Sequence, residues 1–287
     1  MEVNIFFAYL SGLACSLCYG ISTVLQQTGV KHQDNIGSLN VNNAYKLFQQ
    51  LPYVVGIILD LFGWLFFLYS ARQLPLFLCL SFVSFSLVIT AIIAKIYKNI
   101  RISNTEQVSL FLIFIGLIIL GVMAQPSEAG KVGHLFKTIL ILFPIPMALF
   151  GLKYLKDEKN KYSALVLAAL AGLTYGATGI ISRIVNFHNL RLHNILQALV
   201  VSIAAYGILG TFFLAAALQR ENVNRINSVM YSFELAVPSI LGLVFLGDKV
   251  RHNYWPIMLI GLILVVSGSI LIAYDTKTNK SSLKPST

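Results

Sequence analysis

The chain has 287 residues, of which 57% are hydrophobic and only 11% charged, with a formal net charge of +10. Ordinary soluble domains carry roughly 25% charged residues, so this composition excludes a soluble globular protein and points to a membrane. The basic excess does not signal nucleic acid, because the Lys and Arg residues lie between or at the ends of apolar segments, where they set orientation instead.

Nine apolar segments of about 20 residues follow one another, each long enough to cross a hydrocarbon layer of roughly 30 Å as a helix. They lie near 4–25, 51–71, 75–97, 106–124, 134–154, 162–184, 194–218, 225–247 and 255–274. The first begins after "MEVN", with no Lys or Arg and a long apolar stretch, so it reads as a membrane helix and not as a cleaved signal. Residues 30–50, "VKHQDNIGSLNVNNAYKLFQQ" with its neighbours, leave open an extra interfacial or membrane helix. The fifth segment is interrupted by Lys137, Pro144 and Pro146. With the N-terminus outside, about two thirds of the Lys and Arg face the cytoplasm. The expected location is therefore the cell membrane, multi-pass, with the C-terminus cytoplasmic and residues 276–287 a disordered basic tail.

An internal repeat emerges along the chain. "GLACSLCYGIST" matches "ALAGLTYGATGI", "GWLFFLYSA" matches "GTFFLAAAL", "VSFSLVITAII" matches "YSFELAVPSIL", and "IFIGLIILG" matches "MLIGLILVV". Segments one to four pair with six to nine, and the fifth links them. A displacement of five helices is odd, so equivalent helices cross in opposite directions, the inverted layout used by alternating-access carriers. The expectation is an all-α polytopic membrane protein with a first four-helix repeat at 1–124, a linker helix and loop at 125–161, and a second repeat at 162–275.

Two further runs carry a family resemblance. "LDLFGWLFFLYSARQLPLFLCLSF" with "GLIILG", and "AAALQRENVNRINSVMYSFELAVPSILGLVFLGDKV" with "GLILVVSG", resemble the EamA-type repeat of the drug/metabolite transporter superfamily. Pro238 and Gly247-Asp248 match its mid-helix proline and acidic loop, whereas Thr90 and "YKN" at 97–99 depart from it. The nine-segment layout is similar to the NIPA-like branch, which the resemblance associates with magnesium.

An ionised carboxylate at the bilayer centre costs at least about 2.5–3.5 kcal/mol, so Asp60 and Glu234 are expected to face the protein interior or a wet cavity. Asp60 shares a helical face with Gly56, Gly63 and Phe67, where the glycines admit a close neighbour. Glu234 shares one with Asn227, Tyr231 and Pro238, and Pro238 frees the Glu234 carbonyl. The equivalent first-half face carries Cys79, Val83, Ser86 and Thr90. Gly12, Ser16, Tyr19, Thr23 and Gln27 form one stripe of the first segment, and Tyr175 stands in the matching place of the sixth. Asp60, Glu234, Tyr19, Tyr175, Tyr231, Ser86, Thr90 and Pro238 are the candidate substrate or coupling-ion residues, and each has an ordinary alternative as a helix contact. Arg183 reads as a side chain snorkelling from a helix end. Cys15, Cys18 and Cys79 read as packing residues, as does Trp64, while Trp255 reads as an interfacial anchor.

No catalytic constellation, metal set or cofactor motif is expected, and no nucleotide-binding domain that could drive transport by ATP. The expected function is gradient-driven transport of a small metabolite or drug-like solute by alternating access. H+, Na+ or Mg2+ is the coupling ion, and the bilayer and small-molecule substrate are the partners, with a homodimer allowed and nucleic acid excluded. The alternatives are a NIPA-like magnesium or divalent-cation pathway and a non-transporting lipid-contacting or assembly protein.

Overall fold

The computed structural model describes residues 2–31, 49–98, 103–127, 132–157, 162–185, 194–221, 223–251 and 254–281. Among them the chain is almost wholly helical: α1 (Glu2–Lys31), α2 (Leu51–Gln73), α3 (Leu76–Lys98), α4 (Asn104–Met123), α5 (His134–Leu142), α6 (Pro144–Lys156), α7 (Ser163–Ile184), α8 (Asn194–Arg220), α9 (Val223–Phe245) and α10 (Trp255–Ser281). Most of the segment at 30–50 lies outside the described residues.

Among the described residues eight stretches are long and apolar enough to span a membrane, against the nine expected. The fifth of these, His134–Lys156, is made of α5 and α6 together. Pro144 has no N–H to continue the ladder, so the helix breaks at Phe143 and resumes. The ninth segment is the helix α10, and Trp255–Leu271 is apolar among its described residues. The tail expected to be irregular from residue 276 is helical as far as Ser281.

The turn between α2 and α3 follows from one residue. Pro75 disfavours helical backbone at the residue before it, and Leu74 is extended at φ −109 and ψ 151. The α2 ladder therefore stops, and Pro75 opens the first turn of α3, with its carbonyl accepting from Leu78 and Cys79.

Small residues bring the helices together. A methyl group at Gly172 of α7 would stand 2.2 Å from the Met230 carbonyl oxygen of α9, and one at Gly176 would stand 2.3 Å from Pro238 Cγ. On the other side of the molecule, one at Gly12 of α1 would meet the Phe82 ring of α3 at 2.3 Å, and one at Gly20 would meet Ile89 at 2.6 Å. Lipid tails are as apolar as Leu, so association in a membrane depends on such close backbone approach. Gly116 of α4 and Gly261 of α10 meet in the same way, with 2.8 Å between a methyl at Gly116 and the Gly261 oxygen.

Two cross-chain features fix the ends. Tyr9 of α1 donates to the Gly121 carbonyl of α4 at 3.1 Å, so α1 begins where α4 finishes. A two-residue antiparallel bridge pairs Ala124 with Val250 and Gln125 with Lys249, adding the segment after α9 to that end. Helix α7 finishes there too, since Arg183 reaches the end of α2, so α1 and α7 run in opposite directions.

Gly176→Ala is expected to destabilise the protein by about 1–3 kcal/mol of overpacking, less the roughly 1 kcal/mol that Ala gains over Gly in a helix. Gly121→Ala, with nothing within 4 Å of the added methyl, should show only the gain. Denaturant unfolding of the detergent-solubilised variants measures the difference.

Candidate functional site

Asp60 lies on the inner side of α2, half-buried. Its Oδ2 accepts a hydrogen bond from Gln26 Nε2 of α1 at 2.6 Å. The same amide nitrogen donates to Ser22 Oγ at 2.8 Å, and Ser22 Oγ donates to the Gly56 carbonyl at 2.8 Å. Gly56 allows this because a methyl there would collide with Gln26 Cγ at 2.6 Å. The carboxylate is thus held in a polar seam between α1 and α2. Sequence reasoning chose Thr23 and Gln27 for the polar stripe, whereas Ser22 and Gln26 make the contacts, and Thr23 bonds its own helix at Tyr19 O. The signal available was the i, i+4 spacing of Ser22 and Gln26 opposite an intramembrane acid.

Glu234 lies halfway along α9 and is also half-buried. Its carboxylate makes no hydrogen bond or ion pair among the described residues. Tyr19, Tyr175 and Tyr231 each lie within electrostatic reach of both Glu234 and Asp60. The three phenols are half-buried as well. Tyr231 bonds Ser86 of α3, and Tyr175 Oη lies 3.3 Å from Thr211 Oγ1 of α8. Gly63 gives way to the Tyr19 ring, whose atoms would stand 3.0 Å from a methyl there, and Gly210 does the same for Tyr175 at 2.9 Å.

The remaining candidates serve in the walls. Ser86 is buried behind Tyr231. Thr90 Oγ1 donates to the Gly20 carbonyl at 3.3 Å and joins α3 to α1. Pro238 is buried against Gly176. Cys15 and Cys79 are buried free thiols, and Cys18 is half-buried. Among the described residues, no three His, Cys, Asp or Glu side chains converge as a metal site would require.

Arg183 departs from its expected role. It does not snorkel; its side chain is fully buried, and Nη2 lies 2.5 Å from Asp248 Oδ1, itself fully buried. Nη1 donates to the carbonyls of Ala71, at 2.6 Å, and Leu74, while Nη2 donates to Ser127 O at 3.0 Å. Asp248 Oδ2 accepts from the Leu76 N–H at 2.6 Å. Helix ends leave backbone groups without intrahelical partners, with an excess of negative charge at the C-terminus and positive charge at the N-terminus. The cation therefore satisfies the end of α2 and the anion the start of α3. Burial pushes the Asp248 carboxyl above its ordinary range, while Arg183 and the Leu76 N–H pull it back. Gly247, at φ 72, turns the chain so that the Asp248 N–H returns to the Gly242 carbonyl. A side chain at Gly242 would stand 2.6 Å from Asp248 Oδ2.

The chain matches no family model, no curated protein and no solved structure. The eight apolar helices define a multi-pass membrane protein.

Asp248→Ala leaves Arg183 as an uncompensated buried charge and should cost roughly 3–5 kcal/mol of stability. Asp60→Asn keeps an acceptor for Gln26 and should change stability by less than about 1 kcal/mol. Chemical unfolding in one detergent compares the two directly.

Proposed function

We propose that this protein is a gradient-driven membrane carrier, in which two inverted four-helix halves alternate access to the recess between Asp60 and Glu234. The observation that carries this reading is the Glu234 carboxylate: it is half-buried in an apolar bundle, ringed by three phenols and without a fixed partner among the described residues. Two acids facing a recess, with no basic side chain among the groups that influence these tyrosines, favour a positively charged occupant. A proton, Na+ or the ammonium group of a small metabolite or drug-like solute meets that requirement.

Support for the inverted halves comes from contacts that recur at aligned positions. Gly63 seats Tyr19 as Gly210 seats Tyr175. A methyl group at Gly20 would stand 3.2 Å from the Ser86 carbonyl oxygen, as one at Gly176 would stand 3.1 Å from the Glu234 carbonyl oxygen. Ser16 Oγ donates to the Phe82 carbonyl at 2.6 Å, and Gly172 lies against the Met230 carbonyl. Gly116 and Gly261 meet each other, as symmetry-related partners on an axis must. The resemblance to EamA-type repeats points the same way. A magnesium pathway would rest on the same two carboxylates without a third acidic ligand among the described residues. A sealed assembly protein would leave the Glu234 carboxylate in a dry interior with no compensation.

The test uses proteoliposomes with an internal pH dye and an imposed proton gradient, challenged with small amines, amino acids, Na+ and Mg2+. Solute-dependent proton movement is expected. Loss of a charge-assisted contact of about 1.5–3 kcal/mol predicts that Glu234→Gln and Asp60→Asn each slow it by roughly 10- to 100-fold. Full coupled activity in both variants would remove these residues from the mechanism.

A further inference from the structure

Four segments at one end of the bundle are tied to a single ion pair: the end of α7, the loop after α9, the α2–α3 turn and the segment after α4. Arg183 comes from the end of α7 and Asp248 from the loop after α9. Their other partners, Ala71 O, Leu74 O, Leu76 N and Ser127 O, all lie at the α2–α3 turn or just after α4. The described residues of α3 are buried without interruption from Leu76 to Ser84, next to this pair, whereas from Phe85 buried positions (Ser86, Val88) alternate with partly exposed ones and from Ile89 none is buried. One end is therefore tightly closed around two charges, while the far half of the same helix is looser.

The bonds fall into two kinds. The ion pair itself joins two residues of the second repeat. The bonds from the pair to the α2–α3 turn and to Ser127 all go to neutral groups, most of them backbone. A separation at this end could leave the two charges together and exchange their charge-assisted bonds to neutral groups for bonds to water, each a limited net change. Separating the charges would instead carry the large penalty of an unpaired buried ion.

We propose that the Arg183–Asp248 pair is a gate clamp that stays intact on the second half and closes this end by capping the α2–α3 turn, releasing that turn when the end opens. This rests on the carrier reading for its purpose, but its test needs no solute.

Hydrogen exchange of the full chain in lipid nanodiscs reads it. Asp248→Asn keeps an acceptor for Leu76 but leaves Arg183 unbalanced in a closed end, which favours hydration and opening. Exchange should rise roughly tenfold or more in residues 74–80 and 123–127. It should fall in residues 85–97 and 226–234 at the opposite end, because alternate states trade exposure between ends. A merely structural pair would produce faster exchange at both ends, and that result, or no change, would overturn the clamp. If Asp248→Asn does not fold, Arg183→Lys, which keeps the charge and loses the fork, must give the same reciprocal pattern. Solute-driven transport without the reciprocal pattern would leave a carrier with no clamp. The reciprocal pattern without transport of any tested solute would leave the clamp and remove the carrier reading.

Discussion

Two charges placed out of water at a helix junction organise this molecule. The break at Leu74-Pro75 leaves carbonyls at the end of α2 and an N–H at the start of α3 without helical partners. In a soluble protein water would satisfy them. Here the Arg183 guanidinium and the Asp248 carboxylate do so from a distant part of the chain. Such a pair adds little net stability over a well-packed apolar alternative, and its removal by halves is costly. What it provides is register: α7, the α2–α3 turn and the loops after α4 and α9 have one arrangement in which all these groups are satisfied.

Away from that junction, the interior is organised by what is missing. Gly12, Gly20, Gly172 and Gly176 remove the side chains that would hold α1 from α3 and α7 from α9. Tyr19 and Tyr175 are each laid over a glycine of the next helix, Gly63 and Gly210. Packing and site thus use one device in different places: Gly12, Gly20, Gly172 and Gly176 let helices touch, while Gly63 and Gly210 make room for the phenol rings.

The helices and their order were legible in the sequence because hydrocarbon thickness imposes a length that composition alone reveals. The inward placement of Asp60 and Glu234 was legible for a related reason, since charge in lipid is penalised. Arg183 was not. A cation one residue from a helix end has two ways to avoid lipid, reaching water or finding an anion, and the anion lies 65 positions away along the chain in a loop whose path the sequence does not specify. The choice of Gln26 and Ser22 over Gln27 and Thr23 was hidden similarly, because neighbouring positions on a helix differ by about 100° and only the position of α2 decides between them. The break at Phe143, by contrast, was foreshadowed by Pro144.

The two intramembrane acids are not equivalent, and the difference follows from their neighbours. Asp60 is tied through Gln26 and Ser22 to a neighbouring helix, so its position is set by α1 and α2 moving together. Glu234 has no such tie among the described residues and sits where Pro238 interrupts the ladder of its own helix. Aligned with it in the first half is Ser86, a neutral side chain engaged by Tyr231. A pair of halves that were alike in charge would place two mobile acids face to face and repel. The observed arrangement has one anchored acid, one free acid and a hydroxyl in the mirrored place, which leaves a single side chain able to exchange partners without unpairing another. Under the proposed carrier function, that is the side chain on which the exchange of a cation would fall.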